Sequence, residues 1–318
     1  MKLITINYLA NARTQYFKPM FNQLIKIKDE NKKKINVNML VSKPNDDNID
    51  INLLTDNGIE AQIIYLPDSG RHYMCKVENA VDIANKYTIS LDEDVFLNSH
   101  IWDFMIENCD VLDNDKNLLF SPLLSTGVPT VDWFIEQFFN EEERNLLFEK
   151  FKNTYIEENH CTPPGCGVLN KCTVNSPAKD WDSEYFYNEV HKMETHYKGI
   201  HPVRVSDEIQ SLLVEMVLKH KDKLLKKMDY ELFFDNDKPY FCNNVYMIKT
   251  SDYKKIIEDE SLFVDKFDEV PINKFRKMNN LNMVFIKNSF GVHPSYNWIG
   301  MERYTELADK FFRGIESE

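Results

Sequence analysis

Short apolar runs alternate with segments of helical spacing through the first third of the chain, and this alternation constrains the fold more than any other feature. The runs cover residues 2–8, 35–42, 59–66 and 87–91 and are rich in β-branched side chains. Runs of this length, bounded by turn residues, are typical of buried strands. Strand and helix repeated at this pace predict an α/β fold with a mostly parallel sheet flanked by helices.

Several helix starts carry their own sequence signals. Pro19 suits the first position of a helix, because the N–H that proline lacks is unpaired there in any case. Asn98 is expected to begin a helix after the fourth run, and Asn140 with Glu143 has the spacing of a capping box. Later elements are also expected: helices at 71–86, 183–197, 206–227 and near Pro271, and strands at 240–248 and 282–287.

Composition narrows the class of protein. The 318 residues are 43% hydrophobic and include 21 Phe and 15 Tyr, which is enough for a sizeable core. The formal net charge of −13 disfavours an extended nucleic-acid footprint. No stretch approaches the roughly 18 apolar residues of a membrane span, and six unevenly spaced cysteines are typical of reduced thiols. We therefore expect a cytoplasmic protein without a transmembrane segment; its oligomeric state does not follow from the sequence.

The sharpest chemical signal is the acidic triplet Asp92-Glu93-Asp94, directly after the run at 87–91. Ligands of parallel sheets collect outside the carboxyl ends of the strands. Two carboxylates at i and i+2 can reach one hard cation, and Mg²⁺ or Mn²⁺ prefers such oxygen ligands. The alternative is an acidic turn ahead of the helix that starts at Asn98. The chain has no P-loop, no G-x-G-x-x-G and no G-x-S-x-G. The absence of these motifs argues against a P-loop NTPase, a Rossmann oxidoreductase and an α/β-hydrolase.

The segment RHYMCKVENAVDIANKYTISLDEDVF resembles a family. In the GT-A-type nucleotide-sugar glycosyltransferases, especially the family-2-like members, a basic, Asn-containing helix precedes a hydrophobic strand that ends in D-x-D. Arg71, Lys76 and Asn79 supply the helix here, and the acidic triplet supplies the D-x-D. The segment departs from the family in one respect. Family-2-like members often carry a glycine shortly after the asparagine, but here Asn79 is followed by Ala80 and Val81.

This resemblance implies a GT-A-like single domain. Its donor-binding half would cover 1–125 and its acceptor-binding half 126–318, with a helical or irregular insertion at 126–205. The implied reaction is metal-dependent transfer of a sugar from a nucleoside-diphosphate donor, a UDP-sugar being favoured, to an acceptor hydroxyl. Neither the stereochemistry nor the acceptor (a glycan, a small molecule or a modified base) is implied.

The resemblance also implies site residues. Asp92, Asp94 and the late His293 would hold Mn²⁺ or Mg²⁺. The expected donor contacts are Tyr8, Arg13, Arg71, Lys76, Asn79, Asp92 and Glu93. Three of them have a structural alternative: Tyr8 as a core or rim aromatic, Arg13 on a solvated helix face, and His293 as a lone surface histidine.

The catalytic carboxylate is expected at Asp207 or Glu208, at about the chain position where the family places its catalytic acid residue, with Asp268-Glu269 before Pro271 as a weaker rival. The alternative is that both acids favour a helix start after Ser206. Two further features have an interpretation of their own. Cys161, Cys166 and Cys172, which follow His160, lack the closely spaced cysteine pairs of most zinc sites and are interpreted as free thiols in a loop. Asn243-Asn244 is interpreted either as a bulge or as a pair that faces the acceptor or the sugar.

Two other functions remain open. One is a sugar nucleotidyltransferase or another metal–diphosphate enzyme, although the glycine-rich loop usual after its first strand is missing from NYLANARTQY. The other is a non-enzymatic binding module in which the acids are helix caps. That module predicts that a substitution of Asp94 leaves every ligand property unchanged.

Overall fold

The computed structural model describes residues 3–10, 17–41, 49–65, 85–127, 129–153, 207–237, 241, 244–262 and 269–293. These residues form eight strands: β1 (Ile4–Ala10), β2 (Ile35–Val41), β3 (Glu60–Tyr65), β4 (Tyr87–Asp92), β5 (Asn117–Leu124), β6 (Glu231–Asp235), β7 (Val245–Lys249) and β8 (Asn282–Gly291). Their α-helices are α1 (Phe17–Ile25), α2 (Asp29–Lys32), α3 (Asn52–Thr55), α4 (Ser99–Glu107), α5 (Thr130–Phe138), α6 (Glu141–Asn153), α7 (Asp207–Lys219), α8 (Lys221–Leu225), α9 (Thr250–Glu258) and α10 (Glu269–Met278).

All eight strands belong to one sheet, in the order β3-β2-β1-β4-β7-β5-β8-β6. The pairs β1–β2, β1–β4, β2–β3 and β5–β8 are parallel. β7 lies antiparallel between β4 and β5, and β6 is antiparallel to β8 at the edge. Six strands therefore run in one direction, which confirms the predicted mostly parallel sheet flanked by helices.

Hydrophobic side chains cover both faces of this sheet. Because successive strand residues point to opposite faces, β7 contributes Val245 to one core and Tyr246 to the other. The first core packs α1 and α4 against the sheet and contains the fully buried Trp102. The second packs α5, α6 and α7 and contains Phe134 and Leu213.

Two predicted helix starts are confirmed. The side chain of Asn98 accepts a hydrogen bond from the Ile101 N–H at 2.9 Å and caps α4. Asn140 and Glu143 form the reciprocal capping box of α6, in which the Glu143 N–H donates to Asn140 Oδ1 at 3.0 Å and the Asn140 N–H donates to Glu143 Oε2 at 3.2 Å. Both caps pair backbone N–H groups that would otherwise lack a partner.

Other boundaries differ from the expectation. α1 begins at Phe17, so Pro19 is its third residue, and the expected helix at 206–227 is divided at His220 into α7 and α8. β7 begins at Val245 rather than at 240, and β5 and β6 had not been expected. Within the insertion expected at 126–205, the described part is largely helical, as α5 and α6. Residues 71–84, 157–183 and 183–197 lie outside the described residues. No helix in the described ranges is long and apolar enough to cross a membrane.

Candidate functional site

One edge of the sheet gathers the polar residues of interest. Asp92 ends β4, Thr126 follows β5 and His293 follows β8, so all three lie at carboxyl ends of parallel strands. Asn244 precedes β7, whose antiparallel direction brings its start to this same edge. This is the edge at which open α/β sheets bind their ligands.

Asp94 and His293 meet at this edge. The His293 Nε2 atom is 3.0 Å from Asp94 Oδ1, and the two side chains are only 4% and 5% exposed. On the other side of the ring, His293 Nδ1 is 2.8 Å from the hydroxyl oxygen of Thr126. No group of three or more His, Cys, Asp or Glu side chains arranged for a metal ion occurs among the described residues. The structure thus brings together two of the three predicted metal ligands.

The end of β8 is fixed by backbone contacts. Val292 and Phe96 form an antiparallel bridge with N–H···O distances of 2.8 and 2.9 Å. The Ser125 N–H donates to the Gly291 carbonyl at 3.0 Å, and the His293 N–H donates to Ser125 Oγ at 3.2 Å. These contacts tie the segments after β4, β5 and β8 to one another, and so they hold His293 beside Asp94.

Gly291 permits this close approach. A Cβ atom at this position would lie 2.4 Å from Leu97 Cδ2 and 2.5 Å from Leu124 Cδ2. Both leucines are buried, at 3% and 0% exposure, so neither has open space to move into. Only a residue without a side chain lets the end of β8 pass between them.

A buried glutamine holds the segment that follows Asp94. Gln23 on α1 donates through Nε2 to the Val95 carbonyl at 3.1 Å. Its Oε1 accepts from the Leu97 N–H at 2.8 Å and from Trp102 Nε1 at 3.1 Å. Because the side chain is 4% exposed, these bonds are shielded from competing water, and they fix the backbone just after the acidic triplet.

Asp92 is held by Asn244. The Asn244 Nδ2 atom donates to Asp92 Oδ2 at 2.7 Å, and the Asp92 N–H donates to the Asn244 carbonyl at 2.9 Å. An ionised carboxylate only accepts hydrogen bonds, so the amide nitrogen must face it. The amide oxygen of Asn244 is buried without a hydrogen-bond partner. A buried oxygen of this kind at a ligand-binding edge is an acceptor that a hydroxyl or a cation can satisfy.

The donor atoms at this edge fit a hard divalent cation. Mg²⁺ takes oxygen ligands at about 2.0–2.1 Å in octahedral geometry, which places neighbouring ligands about 3 Å apart. Asp94 Oδ1 and His293 Nε2, which contact each other at 3.0 Å, are close enough together to serve one cation. Such ions are commonly held by one or two carboxylates, with waters and substrate phosphates completing the shell. Two protein ligands therefore suffice for a cation that a diphosphate helps to bind.

The other predicted residues have different surroundings. Tyr8 is fully buried and packs edge-on against Phe17 and Phe21 at 6.3 Å, as a core aromatic would. Glu93 is also buried, at 4% exposure. Glu208, the second residue of α7, is exposed and forms an ion pair with Lys150 on α6. Asp207 is the first residue of α7. Four predicted donor residues lie outside the described residues: Arg13, Arg71, Lys76 and Asn79.

Sequence reasoning missed Thr126, Gln23 and Gly291. Thr126 is 167 residues from His293, and Gln23 is 72 residues from Val95. No local pattern marks contacts that are so distant in the chain. In the sequence, Gly291 opens the run Gly-Val-His-Pro, a sharp break after the apolar run at 282–287, but the two leucines that require a glycine there cannot be inferred from it.

No family model matches this chain, and no curated protein is significantly similar to it. Many of the solved structures that it is similar to are GT-A fold glycosyltransferases. TarS 1-349 from S. aureus is 15% identical over 39% of this chain and 36% of TarS, with a TM-score of 0.33. The mannosyltransferase PcManGT from Pyrobaculum calidifontis, in complex with GDP-Man and Mn²⁺, is 8% identical over 41% of this chain and 37% of that chain, also with a TM-score of 0.33.

A third similar structure has a different activity. The 4-diphosphocytidyl-2C-methyl-D-erythritol synthase from Anaerococcus prevotii is 12% identical over 38% of this chain and 54% of that chain, with a TM-score of 0.29. This chain spans little more than a third of the first two proteins. Likenesses at these TM-scores carry no argument about the reaction.

Proposed function

We propose that this protein is a metal-dependent glycosyltransferase that moves a sugar from a nucleoside-diphosphate donor to an acceptor hydroxyl. The observation that carries the proposal is the buried pair of Asp94 and His293, 3.0 Å apart at the carboxyl edge of the sheet. Asp92 lies at the same edge, held by Asn244. Carboxylates and an imidazole at a strand-end crevice form a donor set suited to a cation and its phosphate ligand.

Different residues are proposed to bind the metal, to orient its ligands and to contact the donor. Asp94 and His293, with Asp92 directly or through water, would hold Mn²⁺ or Mg²⁺. The bound cation would neutralise negative charge that develops on the leaving diphosphate. Asn244 orients the Asp92 carboxylate and offers its buried amide oxygen to a donor group. Arg71 and Lys76 are proposed to pair with the diphosphate, and Arg13, Asn79 and Glu93 to complete the donor site, whereas Tyr8 packs in the core.

The acceptor hydroxyl must lose a proton as the new bond forms. We assign this proton to a carboxylate at the start of α7, either Asp207 or Glu208. In an inverting transferase that carboxylate acts as the general base. The exposed position of Glu208 and its ion pair with Lys150 favour Asp207 for the role. Substitution of Asp207 by Asn is expected to abolish transfer and to leave donor binding intact.

The donor site is tested by thermal unfolding in the presence of Mn²⁺ and each of the uridine, guanosine, cytidine and adenosine diphosphates. A ligand that binds only the native state raises its apparent stability, by about 2.7 kcal/mol at a hundred times Kd. We expect one of these nucleotides, with uridine diphosphate favoured, to raise the melting temperature only when the metal is present. The Asp94→Asn variant should not show this rise. The absence of a shift with any nucleotide would contradict the proposal and leave the acids as a helix cap.

A further inference from the structure

The hydroxyl of Thr126 and the carboxylate of Asp94 lie at the two nitrogens of one ring. Thr126 Oγ1 is 2.8 Å from Nδ1 of His293, and Asp94 Oδ1 is 3.0 Å from Nε2. Thr126 is 5% exposed, and Asp94 and His293 are each 4% exposed. Little water reaches this ring, and the threonine and the aspartate each lie within hydrogen-bond distance of one of its nitrogens.

These partners determine where the ring proton lies. The Asp94 carboxylate can only accept, so without a metal the Nε2 atom of His293 carries a proton and donates it. A metal ion needs the lone pair of Nε2, and a neutral ring must then carry its single proton on Nδ1. When the metal binds, Nε2 therefore gives up its proton and Nδ1 carries one.

A hydroxyl can pair with Nδ1 whether or not that nitrogen carries a proton. Thr126 can donate to Nδ1 when that atom is bare and accept from it when it is protonated. A carboxylate or a carbonyl at this position would only accept, and would favour one tautomer throughout. A valine has almost the same shape as threonine but could pair with neither tautomer, which would leave a buried N–H without an acceptor in the metal-bound state.

We propose that Thr126 is a positioning residue of the metal site: its hydroxyl lets His293 exchange the Asp94 hydrogen bond for metal coordination while Nδ1 stays paired. This inference rests on the proposed function, since it concerns the same cation. It adds a residue that contacts neither the metal nor the donor but sets the metal affinity through the orientation and tautomer of the ring.

The first test measures Mn²⁺ affinity by electron paramagnetic resonance of the free ion, with no nucleotide present. Removal of an outer hydrogen-bond partner of a metal-binding histidine typically costs about 10–100-fold in metal affinity. We expect a loss in that range for Thr126→Val and near wild-type affinity for Thr126→Ser, which keeps the hydroxyl. Thr130→Val is the matched control, because Thr130 is equally buried and bonds the Leu124 backbone instead.

A second measurement needs no substitution at Thr126, and so it holds even if Thr126→Val does not fold. The ring nitrogens of histidine-labelled protein are observed by ¹⁵N NMR, with His293→Gln to assign the signal. Without a metal we expect the proton on Nε2, and with diamagnetic Mg²⁺ we expect it on Nδ1. A proton that stays on the same nitrogen in both states would overturn the inference.

The outcomes separate this inference from the proposed function. If the wild type binds Mn²⁺ and Asp94→Asn does not, while Thr126→Val binds as well as the wild type, the role of Thr126 is wrong and the metal site stands. Equal losses in Thr126→Val and Thr130→Val would show a packing effect and also overturn it. A wild type that binds no Mn²⁺, either alone or with the preferred nucleoside diphosphate present, would overturn both.

Discussion

At the scale of single residues, Glu143 shows how a buried carboxylate is kept ionised. Burial alone would raise its pKa, but hydrogen bonds from Lys219 Nζ at 2.8 Å and His220 Nε2 at 2.7 Å, with that from the Asn140 N–H, lower the pKa of Glu143 to about 2. A carboxylate with a lowered pKa stabilises the fold fully above its unfolded pKa of 4.5. That contribution is lost as the pH falls through 4.5 towards 2.

Glu143→Gln tests this contribution, because glutamine keeps the capping box and removes the charge. We expect the free energy of unfolding at pH 7 to fall by about 1–3 kcal/mol, since Lys219 and His220 lose the carboxylate that accepts their hydrogen bonds. The difference from the wild type should shrink as the pH is lowered below about 4.5. Urea unfolding at a series of pH values measures it. Glu142→Gln, at the exposed neighbouring position, should have little effect, and a pH-independent difference for Glu143→Gln would contradict the account.

Gln23→Leu tests the buried clamp behind Asp94. The substitution keeps the approximate volume and leaves the Val95 carbonyl and the Leu97 N–H without their partner. Each unpaired buried group costs about 1–3 kcal/mol, so we expect a clear loss of stability in urea unfolding and weaker Mn²⁺ binding. Gln62→Leu, which removes an exposed amide bonded to Asn38, is the control and should leave Mn²⁺ affinity unchanged. Unchanged Mn²⁺ affinity in Gln23→Leu would limit Gln23 to a structural role.

The candidate site was predictable only where its residues carry local signals. Asp92 and Asp94 follow an apolar run, and His293 follows a sharp break after another, so their place at strand ends could be anticipated. Thr126 and Gln23 carry no such signal, because their partners lie more than seventy residues away. Tyr8 lies on a strand that the sequence predicts, but its burial depends on how α1 packs against that strand, which the sequence pattern does not show.

At the scale of elements, Gly291 links the end of β8 to the site. We expect Gly291→Ala to cost about 1–3 kcal/mol by overpacking, because the new methyl group would meet Leu97 and Leu124. The displaced strand end should also move His293 from Asp94 and weaken Mn²⁺ binding. Gly58→Ala is the comparison: Gly58 has φ +79° and open space around it, so alanine is strained there without touching the site. Equal Mn²⁺ affinities in the two variants would contradict this role.

The strands that sequence reasoning found and missed differ in a physical way. β1 to β4 are apolar runs between turn residues, and their parallel arrangement follows from the helices expected between them. β5 contains Pro122, where its pairing with β8 shifts register, and proline normally argues against an interior strand. β6 is a short, half-exposed edge strand. The antiparallel direction of β7 depends on long connections and not on its own residues.

At the scale of the whole molecule, charge and fold lead to one expectation. The net charge of −13 repels an anionic nucleotide, yet the candidate site lies at the sheet edge that suits such a ligand. Under the proposed function, a divalent cation between Asp94 and the diphosphate would resolve this conflict. Nucleotide and metal should therefore bind cooperatively, and each must raise the affinity of the other by the same factor.

The most direct measurement is calorimetric titration of the preferred nucleoside diphosphate into the protein, with Mn²⁺ and with a chelator, for the wild type and Asp94→Asn. We predict at least about tenfold tighter binding with Mn²⁺, a coupling of about 1.4 kcal/mol or more, and no such gain in Asp94→Asn. Nucleotide affinity that is the same with and without the metal, or a gain that survives in Asp94→Asn, would contradict the assignment of this edge as a metal–diphosphate site.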